Sequence, residues 1–390
     1  MKNRRSDTVF IFAFCMMLAL PLISFNLLND DISTAENRKR KGFPELTEEM
    51  TQKERKDELS LWFDDNIGMR DGLQSVYGLV SYGIFGVSST DKVLKGKDDW
   101  LFHTQDIDHG MGKTLPNDWS LKKMAFVVDR ADEYFKAKDI DLYYLFIPTK
   151  ESVYTEMIDT SLSTGPTVQD AVVGHLLSET DANIIDLKPV MLGAKEDTQV
   201  YFKTDTHWNT DGAYIASCAV MDRLRADGII DHICDPAPER KRQGTYSGDL
   251  STMIIPYFGP AEAFYSYNWE RHAEETEDAG YSALVGSIYE ENRYHVTVGD
   301  EYIFKNRSED ANDIRLLIIG DSFFSKDYYA YEYFGENVRE LYYIRAKGIS
   351  DDLIEYVKPD VVIFESTEKY LDMILKNDRI IPENYNEEGK

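Results

Sequence analysis

The chain has 390 residues, of which 43% are hydrophobic and 13% aromatic, so it can bury a large core and is not an intrinsically disordered protein. Its 43 basic and 70 acidic residues give a formal net charge of −27. This charge argues against binding of nucleic acid or anionic lipid by the main body, and three cysteines are too few for a disulfide-dense scaffold or a four-cysteine zinc site.

The first hydrophobic segment covers residues 8–28, a run of 21 residues without a charge. As a helix it would span about 30 Å, the thickness of the hydrocarbon layer of a bilayer. A buried core helix is the alternative, but such helices are rarely apolar on every side over this length. No pair of small residues with cleavage-site spacing follows, so we predict an uncleaved signal anchor, a transmembrane helix, within residues 1–29.

Positive charges lie on both sides of this segment, so they do not fix its orientation. Lys2, Arg4 and Arg5 precede it, and residues 38–41 follow it. The chain has no second hydrophobic segment of this length, and its acidic body is compatible with export. We therefore expect a single-pass protein of the cell membrane with an extracytoplasmic main body.

Residues 30–120 read as a charged linker that leads into an N-terminal helical segment. Apolar residues recur at helical spacing over residues 59–80, interrupted by Asn66 and Gly68. The run at residues 95–103 predicts a turn and a short strand.

Residues 121–375 alternate between helix and strand patterns, which predicts an α/β domain with a parallel sheet and flanking helices. Near-continuous apolar runs are typical of strands buried on both faces of such a sheet. The predicted strands are 141–150, 183–187, 314–322, 338–345 and 360–366, and the predicted helices are 121–138, 212–226, 328–334 and 350–357.

Residues 235–312 interrupt this alternation and are rich in Tyr, Glu and Asp. We interpret them as an insertion with some antiparallel strand, because residues 294–304 alternate weakly. The insertion could cover a sheet edge or the functional site, and its role as a lid, a binding module or a partner surface stays open. Residues 376–390 read as a solvated tail.

One candidate site follows the apolar strand that ends in Gly320, Asp321 and Ser322. In an open α/β sheet, functional residues cluster beyond the carboxyl ends of strands. Glycine permits a tight turn there, and a serine at the start of a helix exposes its hydroxyl beside its own amide, which suits a nucleophile and its oxyanion. The alternative is an ordinary helix N-cap.

A second candidate site contains Asp205 and His207, two positions apart and just before a predicted helix. A carboxylate so close can accept a hydrogen bond from one imidazole nitrogen and leave the other free as a base. Trp208 is a bulky neighbour that could pack the pair in place. The alternatives are a capped helix start with an incidental histidine, or metal binding by Asp205, His207 and Asp211, which no further ligand motif supports.

Together these residues resemble the DHHW-motif proteins, which are similar to the alginate O-acetyltransferases and belong to the SGNH-hydrolase-like superfamily. The resemblance covers most of the chain beyond the anchor. It rests on WFDDNIGMRDGL (62–73), GKDDWLF (96–102), IPTKESVY (147–154), TDTHWN (204–209), YSGDL (246–250), LLIIGDSF (316–323) and KPDVVIFE (358–365).

This resemblance implies an SGNH-like domain with the motif order reversed, since the serine of ordinary SGNH hydrolases precedes the aspartate and the histidine. Ser322 is then the nucleophile, His207 the general base and Asp205 the residue that orients it.

The same resemblance implies an arginine and tyrosines around the nucleophile. Arg345, Tyr328 and Tyr370 are the matching candidates for substrate or oxyanion binding. The Gly and Asn blocks that usually complete the oxyanion hole have no assignable counterpart here. Lys150 and Arg70 lie in family-like motifs, where ordinary ion pairing explains them equally well.

A Ser–His–Asp set implies a covalent acyl-enzyme, without a cofactor or a metal. The family points to transfer of acetyl groups to an exported or cell-surface polysaccharide, with the acyl donor supplied by a membrane-bound O-acyltransferase. If water enters instead, the protein is a carbohydrate acetylesterase. The competing class is a non-catalytic surface protein that binds carbohydrate or acts as a scaffold, and no nucleic-acid partner is expected.

Overall fold

The computed structural model describes residues 4–25, 32–33, 38–47, 50–158, 165–234, 239–291 and 294–371. The chain divides into two compact units. One contains residues 1–95 and 246–262, and the other contains residues 96–245 and 263–390. The predicted boundaries at residues 29, 120 and 375 stay predictions, and the predicted tail, 376–390, lies outside the described residues.

The described residues form helices and strands in the following order. The helices are α1 Arg4–Ile23, α2 Gln52–Asn66, α3 Arg70–Gly83, α4 Thr104–Gly110, α5 Asp118–Ala137, α6 Lys150–Val153, α7 Val168–Glu179, α8 Lys188–Ala194, α9 Thr210–Ala226, α10 Asp249–Ile254, α11 Ala279–Glu290, α12 Ala330–Asn337 and α13 Asp351–Val357. The strands are β1 Ile32–Ser33, β2 Arg38–Lys39, β3 Val93–Lys95, β4 Leu101–His103, β5 Asp141–Ile147, β6 Asn183–Asp186, β7 Glu239–Tyr246, β8 Glu262–Asn268, β9 Ala273–Glu275, β10 Tyr302–Asn306, β11 Asn312–Gly320, β12 Val338–Arg345 and β13 Val361–Thr367.

The first unit is mainly helical. Helix α2 begins at a capping box, in which Thr51 and Glu54 satisfy each other's backbone N–H groups. Helices α2 and α3 are separate, as the break at Asn66 and Gly68 predicts. Within the described part of the chain, no helix has both the length and the apolar character needed to cross a membrane. The signal anchor stays a prediction.

The second unit is built on a seven-stranded sheet with the order β6-β5-β13-β11-β12-β10-β9. The five strands from β6 to β12 are parallel, and they correspond to the five strands predicted from the apolar runs. Strand β12 has the predicted bounds. The expectation of a doubly covered parallel core is thereby confirmed.

The sheet is mixed, because two antiparallel strands extend its parallel part at one edge. Strands β9 and β10 come from the predicted insertion and pair antiparallel. Only residues 307–311 separate β10 from β11. A parallel crossover needs a dozen or more residues, so β10 runs opposite to β11 and pairs antiparallel with β12. The expected antiparallel strand at the sheet edge is therefore confirmed.

Helices cover both faces of this sheet. Alternate residues of β5, namely Leu142, Tyr144 and Phe146, are buried in one apolar cluster with side chains of α5, α7, α11 and α13. On the other face, the Tyr143 hydroxyl donates to Asp227 at the end of α9, over 2.9 Å. Because both faces are buried, the carboxyl ends of the parallel strands form an edge at which functional side chains can gather.

Candidate active site

The Ser322 turn lies where β11 ends. Asp321 caps a single 3₁₀ turn, Ser322–Phe324, and its carboxylate accepts the Phe323 N–H over 3.0 Å. The Ser322 N–H has no hydrogen-bond acceptor among the residues that the structure describes. A short capped turn therefore presents both the hydroxyl and a free amide, which is the arrangement that a nucleophile and its oxyanion require.

Asp205 and His207 lie on a short loop between residues 201 and 208, closed by a bridge between Tyr201 and Trp208. The Asp205 carboxylate accepts a hydrogen bond from the His207 backbone N–H over 3.0 Å. The same Oδ1 atom lies 2.7 Å from Nδ1 of the His207 ring. Both side chains are buried, and one carboxylate thus fixes the backbone and the ring of its neighbour together.

The two candidate sites meet in the folded chain. His207 Nε2 lies 2.7 Å from Ser322 Oγ, although 115 positions separate the two residues. With Asp205 on Nδ1, the proton of the ring belongs on that nitrogen, and Nε2 is free to accept the serine proton. Asp205, His207 and Ser322 therefore form one continuous hydrogen-bonded chain, and their roles in a reaction stay predictions.

Aromatic packing explains why the two turns meet. Trp208 is completely buried, and its ring contacts Phe323 and Phe324 at centroid distances of 5.0 and 5.9 Å. The His207 ring lies 4.8 Å from Phe323. The residues that directly follow the histidine and the serine thus form one apolar contact. The predicted packing of Trp208 against Asp205 and His207 stays a prediction.

Lys150 binds the backbone of the loop that carries Asp205 and His207. The sequence alone does not predict this contact. Lys150 is completely buried at the start of α6. Its Nζ donates to the backbone carbonyls of Phe202, Lys203 and Asp205 over 3.2, 3.3 and 2.5 Å. The ammonium group thereby satisfies three carbonyls of the loop that carries Asp205 and His207, so Lys150 positions the loop. Arg70 belongs to the other unit, where its Nη1 lies 3.9 Å from Asp65.

The three candidates from the family resemblance lie in different places. The Tyr328 ring stacks on the His207 ring, with 3.8 Å between centroids and an angle of 16°. Arg345 is the last residue of β12 and pairs in register with Gly320. Its Nη1 bonds to Asp300 over 3.0 Å. Tyr370 follows β13 with the Lys347 Nζ 3.5 Å above its ring, and burial raises the pKa of the Tyr370 hydroxyl.

A cleft of about 260 Å³ adjoins the Ser322 turn. Its lining residues are Gly320, Asp321, Arg345, Ala346, Lys347, Tyr370, His295 and Thr297. The structure thus brings Arg345 and Tyr370 to one cleft beside the Ser322 turn, and places Tyr328 against the His207 ring instead. A cleft in this position has room for an acyl group or for part of an acceptor.

Asp211, the third residue of the alternative metal set, has other partners. Its carboxylate accepts from Arg240 Nη2 over 2.7 Å and from the Tyr267 hydroxyl over 2.7 Å. This pairing fixes the first turn of α9 to the insertion, since Arg240 and Tyr267 lie on β7 and β8. Asp211 is therefore a structural residue of the helix start.

Glu365 is a buried residue of this region that the motif analysis did not single out. It lies on β13, and its Oε2 accepts the Asp321 N–H over 2.6 Å. Burial, reinforced by the nearby Asp321, raises the pKa of the Glu365 carboxyl well above its usual range. The available signal was an acidic residue at the end of an otherwise apolar strand, within the run 358–365.

Comparison with known proteins agrees with the motif resemblance. Residues 93–283 match the family described as SGNH hydrolase-like domain, acetyltransferase AlgX. The chain is 25% identical over 324 residues to the probable alginate O-acetylase AlgJ of Pseudomonas putida, a match that covers 78% of this chain and 76% of that protein.

Two solved structures are also similar. One is Bacillus cereus PatB1, with a TM-score of 0.52 at 17% identity over 73% of this chain and 99% of that one. The other is a DHHW family protein from Eubacterium siraeum, with a TM-score of 0.49 at 13% identity over 73% and 94% of the two chains. The likeness to PatB1 supports the α/β fold.

Proposed function

We propose that the chain, whose residues 93–283 match the SGNH hydrolase-like family and which is similar to the AlgJ alginate O-acetylases, is an O-acyltransferase, most simply an O-acetyltransferase. Its acceptor is an exported or cell-surface polysaccharide, and its intermediate is an acyl ester of Ser322. The single observation that carries this proposal is the hydrogen-bonded chain from Asp205 through His207 to Ser322.

In the first half-reaction, Ser322 Oγ attacks the carbonyl carbon of the acyl donor while His207 Nε2 takes the hydroxyl proton. Asp205 stabilises the imidazolium that forms and keeps the ring in place. The carbonyl oxygen becomes an oxyanion, for which the Ser322 N–H is a ready donor. The tetrahedral intermediate then expels the donor group, which receives the proton from His207, and the acyl-enzyme remains.

In the second half-reaction, a sugar hydroxyl attacks the acyl-enzyme. His207 takes the proton of that hydroxyl, a second oxyanion forms and collapses, and Ser322 Oγ leaves with the proton returned by His207. If water attacks in place of the sugar, the same groups release a free carboxylic acid. The acceptor alone therefore separates an acyltransferase from a carbohydrate acetylesterase.

Substitution of the nucleophile tests the proposal. We expect Ser322→Ala to abolish hydrolysis of p-nitrophenyl acetate and labelling by a serine-directed sulfonyl fluoride, with a loss of kcat on the order of 10⁴-fold or more. Ser287→Ala, an exposed serine on α11, is the matched control. A wild-type protein that shows neither hydrolysis nor labelling would support a non-catalytic carbohydrate-binding or scaffold protein instead.

The acceptor is tested with a panel of oligosaccharides under the same conditions. We expect mass spectrometry to find a gain of about 42 Da per transferred acetyl group on at least one sugar, because the acyl-enzyme passes its acetyl to a hydroxyl. Release of acetate alone across the whole panel would identify an esterase.

We also propose that residues 1–29 anchor the protein in the cell membrane, with the second unit outside the cytoplasm. A membrane-bound O-acyltransferase partner would then deliver the acyl donor at high effective concentration. The full-length chain is expected in the membrane fraction, and a chain that starts at residue 30 is expected in the soluble fraction. A soluble full-length chain would contradict the anchor without affecting the catalytic proposal.

A further inference from the structure

Glu365 is an acidic side chain that is buried near the carboxyl end of an interior strand of the sheet. It lies on β13, whose seven residues are all buried, and it is itself only 3% exposed. An isolated carboxylate is costly in such a place, so a buried glutamate needs partners or must be neutral. Its position at the carboxyl end of the strand puts it directly beside the Ser322 turn.

The contacts of Glu365 are made to the residues that precede the nucleophile. Oε2 accepts the Asp321 N–H over 2.6 Å. Gly320 allows this approach, since a Cβ at that position would lie 2.3 Å from Oε2. Among the residues that the structure describes, Oε1 has no hydrogen-bond partner. The carboxyl group therefore makes one short bond, and that bond goes to the turn.

Two consecutive peptide groups of the turn are held in this way. The peptide group between Gly320 and Asp321 is fixed at its carbonyl by the Ala346 N–H, over 3.0 Å, and at its N–H by Glu365. The next peptide group is fixed at the Asp321 carbonyl by the Tyr343 hydroxyl, over 2.6 Å. A peptide group is planar and trans, so these bonds set the direction of the Ser322 N–H.

The Asp321 side chain completes the arrangement. Its Oδ2 accepts hydrogen bonds from the backbone N–H and from the hydroxyl of Thr367, which lies two residues after Glu365. Strand β13 thus holds both the backbone and the side chain of Asp321. A change in Glu365 removes the contact to the backbone and leaves the contacts to the side chain in place.

The surroundings of Glu365 favour its neutral form. Burial and the nearby Asp321 at the end of β11 raise the pKa of its carboxyl, and Arg345 on β12 opposes them. Arg345, the facing cation, is paired with Asp300. A protonated carboxyl keeps a carbonyl oxygen that can accept the Asp321 N–H, so a neutral side chain of the same shape can replace it.

We propose that Glu365 is a positioning residue for the nucleophile, which orients the Ser322 amide toward the oxyanion by holding the Asp321 backbone N–H. It acts as a neutral hydrogen-bond acceptor and takes no part in proton transfer to the substrate. This inference rests on the proposed function, in which the Ser322 N–H stabilises the oxyanion.

The test compares Glu365→Gln with Glu365→Met in the full-length chain. Glutamine keeps an acceptor oxygen, so kcat for p-nitrophenyl acetate should stay within about threefold of wild type with an unchanged pH profile. Methionine removes the acceptor at similar volume, so kcat should fall on the order of 10²-fold with little change in KM, as for the loss of one oxyanion donor. Equal kcat values for Glu365→Met and wild type would overturn the proposal.

Two further variants separate positioning from general damage. Glu336→Met removes a buried carboxylate that accepts the backbone N–H groups of His272 and Ala273 on another part of the sheet, and it should leave kcat of the folded protein unchanged. Gly320→Ala adds a methyl group that would clash with Glu365 Oε2 and displace it from the Asp321 N–H. This variant should therefore lower kcat as Glu365→Met does. If Glu365→Met does not fold, wild-type kcat in Gly320→Ala overturns the proposal.

Hydrogen–deuterium exchange gives a readout that needs no activity. Amides of the peptide that contains Asp321 and Ser322 should exchange faster in Glu365→Met than in wild type or Glu365→Gln, and Glu336→Met should not change them. Unchanged exchange in Glu365→Met contradicts the positioning contact. An absence of hydrolysis and of sulfonyl labelling in the wild type contradicts the proposed function instead, so the two failures are distinguishable.

Discussion

At the scale of single residues, Asp205 has the most specific geometry in the site. It is 1% exposed, and one of its oxygens contacts both the backbone N–H and Nδ1 of His207. Asparagine is nearly identical in shape, but its amide lacks the charge that stabilises the imidazolium and can present N–H to Nδ1. The wrong tautomer would then leave Nε2 protonated and unable to accept the Ser322 proton.

We therefore expect Asp205→Asn to lower kcat for ester hydrolysis by about 10²- to 10⁴-fold, with an unchanged fold. Steady-state kinetics at several pH values and circular dichroism check this, and Asp222→Asn, on an exposed part of α9, is the control. Wild-type kcat in Asp205→Asn would show that the carboxylate has only a structural role.

The sequence predicted Asp205, His207 and Ser322 as candidates because each is a reactive residue type in a recognisable short motif. It could not predict the supporting residues in the same way. Glu365 and Lys150 act through backbone atoms of residues 44 and 55 positions away, respectively, and local patterns contain no information about such pairs.

At the scale of elements, the apolar runs predicted all five parallel strands. A strand that is buried on both faces is apolar at nearly every position, and such a run is easy to identify in a sequence. Among the described helices that were not predicted, α7 and α11 are the longest, with 12 residues each. The apolar residues of α7 do not fall on one side of the helix, so its pattern lacks the usual period. The antiparallel edge strands β9 and β10 are short and gave only a weak signal.

The loop that carries Asp205 and His207 depends on α6 through Lys150. Replacement by methionine keeps the apolar stem and removes the three hydrogen bonds from Nζ to the loop carbonyls. Loss of three charge-assisted hydrogen bonds in a buried place is costly, so we expect Lys150→Met to lower the free energy of unfolding by about 3 kcal/mol. Urea unfolding followed by fluorescence measures this change.

Lys203→Met is the matched control, because the Lys203 side chain belongs to the same loop, is partly exposed, and makes one hydrogen bond to the described residues, to the Asp98 carbonyl. It should change the free energy of unfolding by less than about 0.5 kcal/mol. If Lys150→Met were as stable as Lys203→Met, the loop would be held by its own bridge and not by α6.

At the scale of the whole molecule, stability should depend on a charged cluster that includes Lys150. Its buried members are Glu151, Asp106 and Lys150, and its partly exposed members are His103 and Lys369. Burial, reinforced by Asp106 and opposed by Lys150, raises the pKa of Glu151 from 4.5 to about 7. The folded chain therefore keeps a proton that the unfolded chain has lost between these values, and the free energy of unfolding falls as pH rises through this range.

Glu151→Gln removes the ionisable carboxyl group and keeps an oxygen that can accept the His103 backbone N–H. We expect the variant to gain stability relative to wild type between about pH 5 and pH 8, as measured by urea unfolding at both values. The pKa of His103 is raised mainly by its hydrogen bond to Asp106, which both proteins keep, and Glu151 is the smallest of its causes. Glu179→Gln, an exposed position at the end of α7, should show no such pH-dependent difference. If the difference in free energy of unfolding between Glu151→Gln and wild type were the same at both pH values, Glu151 would not ionise in this range.

The whole-molecule arrangement was the least visible in the sequence. Trp208 and Phe323 are typical core residues, and nothing in their own segments indicates that they contact each other. The family resemblance supplied that relation by implying that the two motifs share one site. The structure gives its physical form, in which aromatic packing and one imidazole join two turns at the rim of a parallel sheet.

The most direct test of the central claim is detection of the acyl group on Ser322. The wild-type chain is mixed with p-nitrophenyl acetate, quenched in acid during turnover and digested for peptide mass spectrometry. We expect a gain of about 42 Da on the peptide that contains Ser322, and no such gain in Ser322→Ala. Turnover without this adduct at any time point, or an adduct that persists in Ser322→Ala, would contradict it.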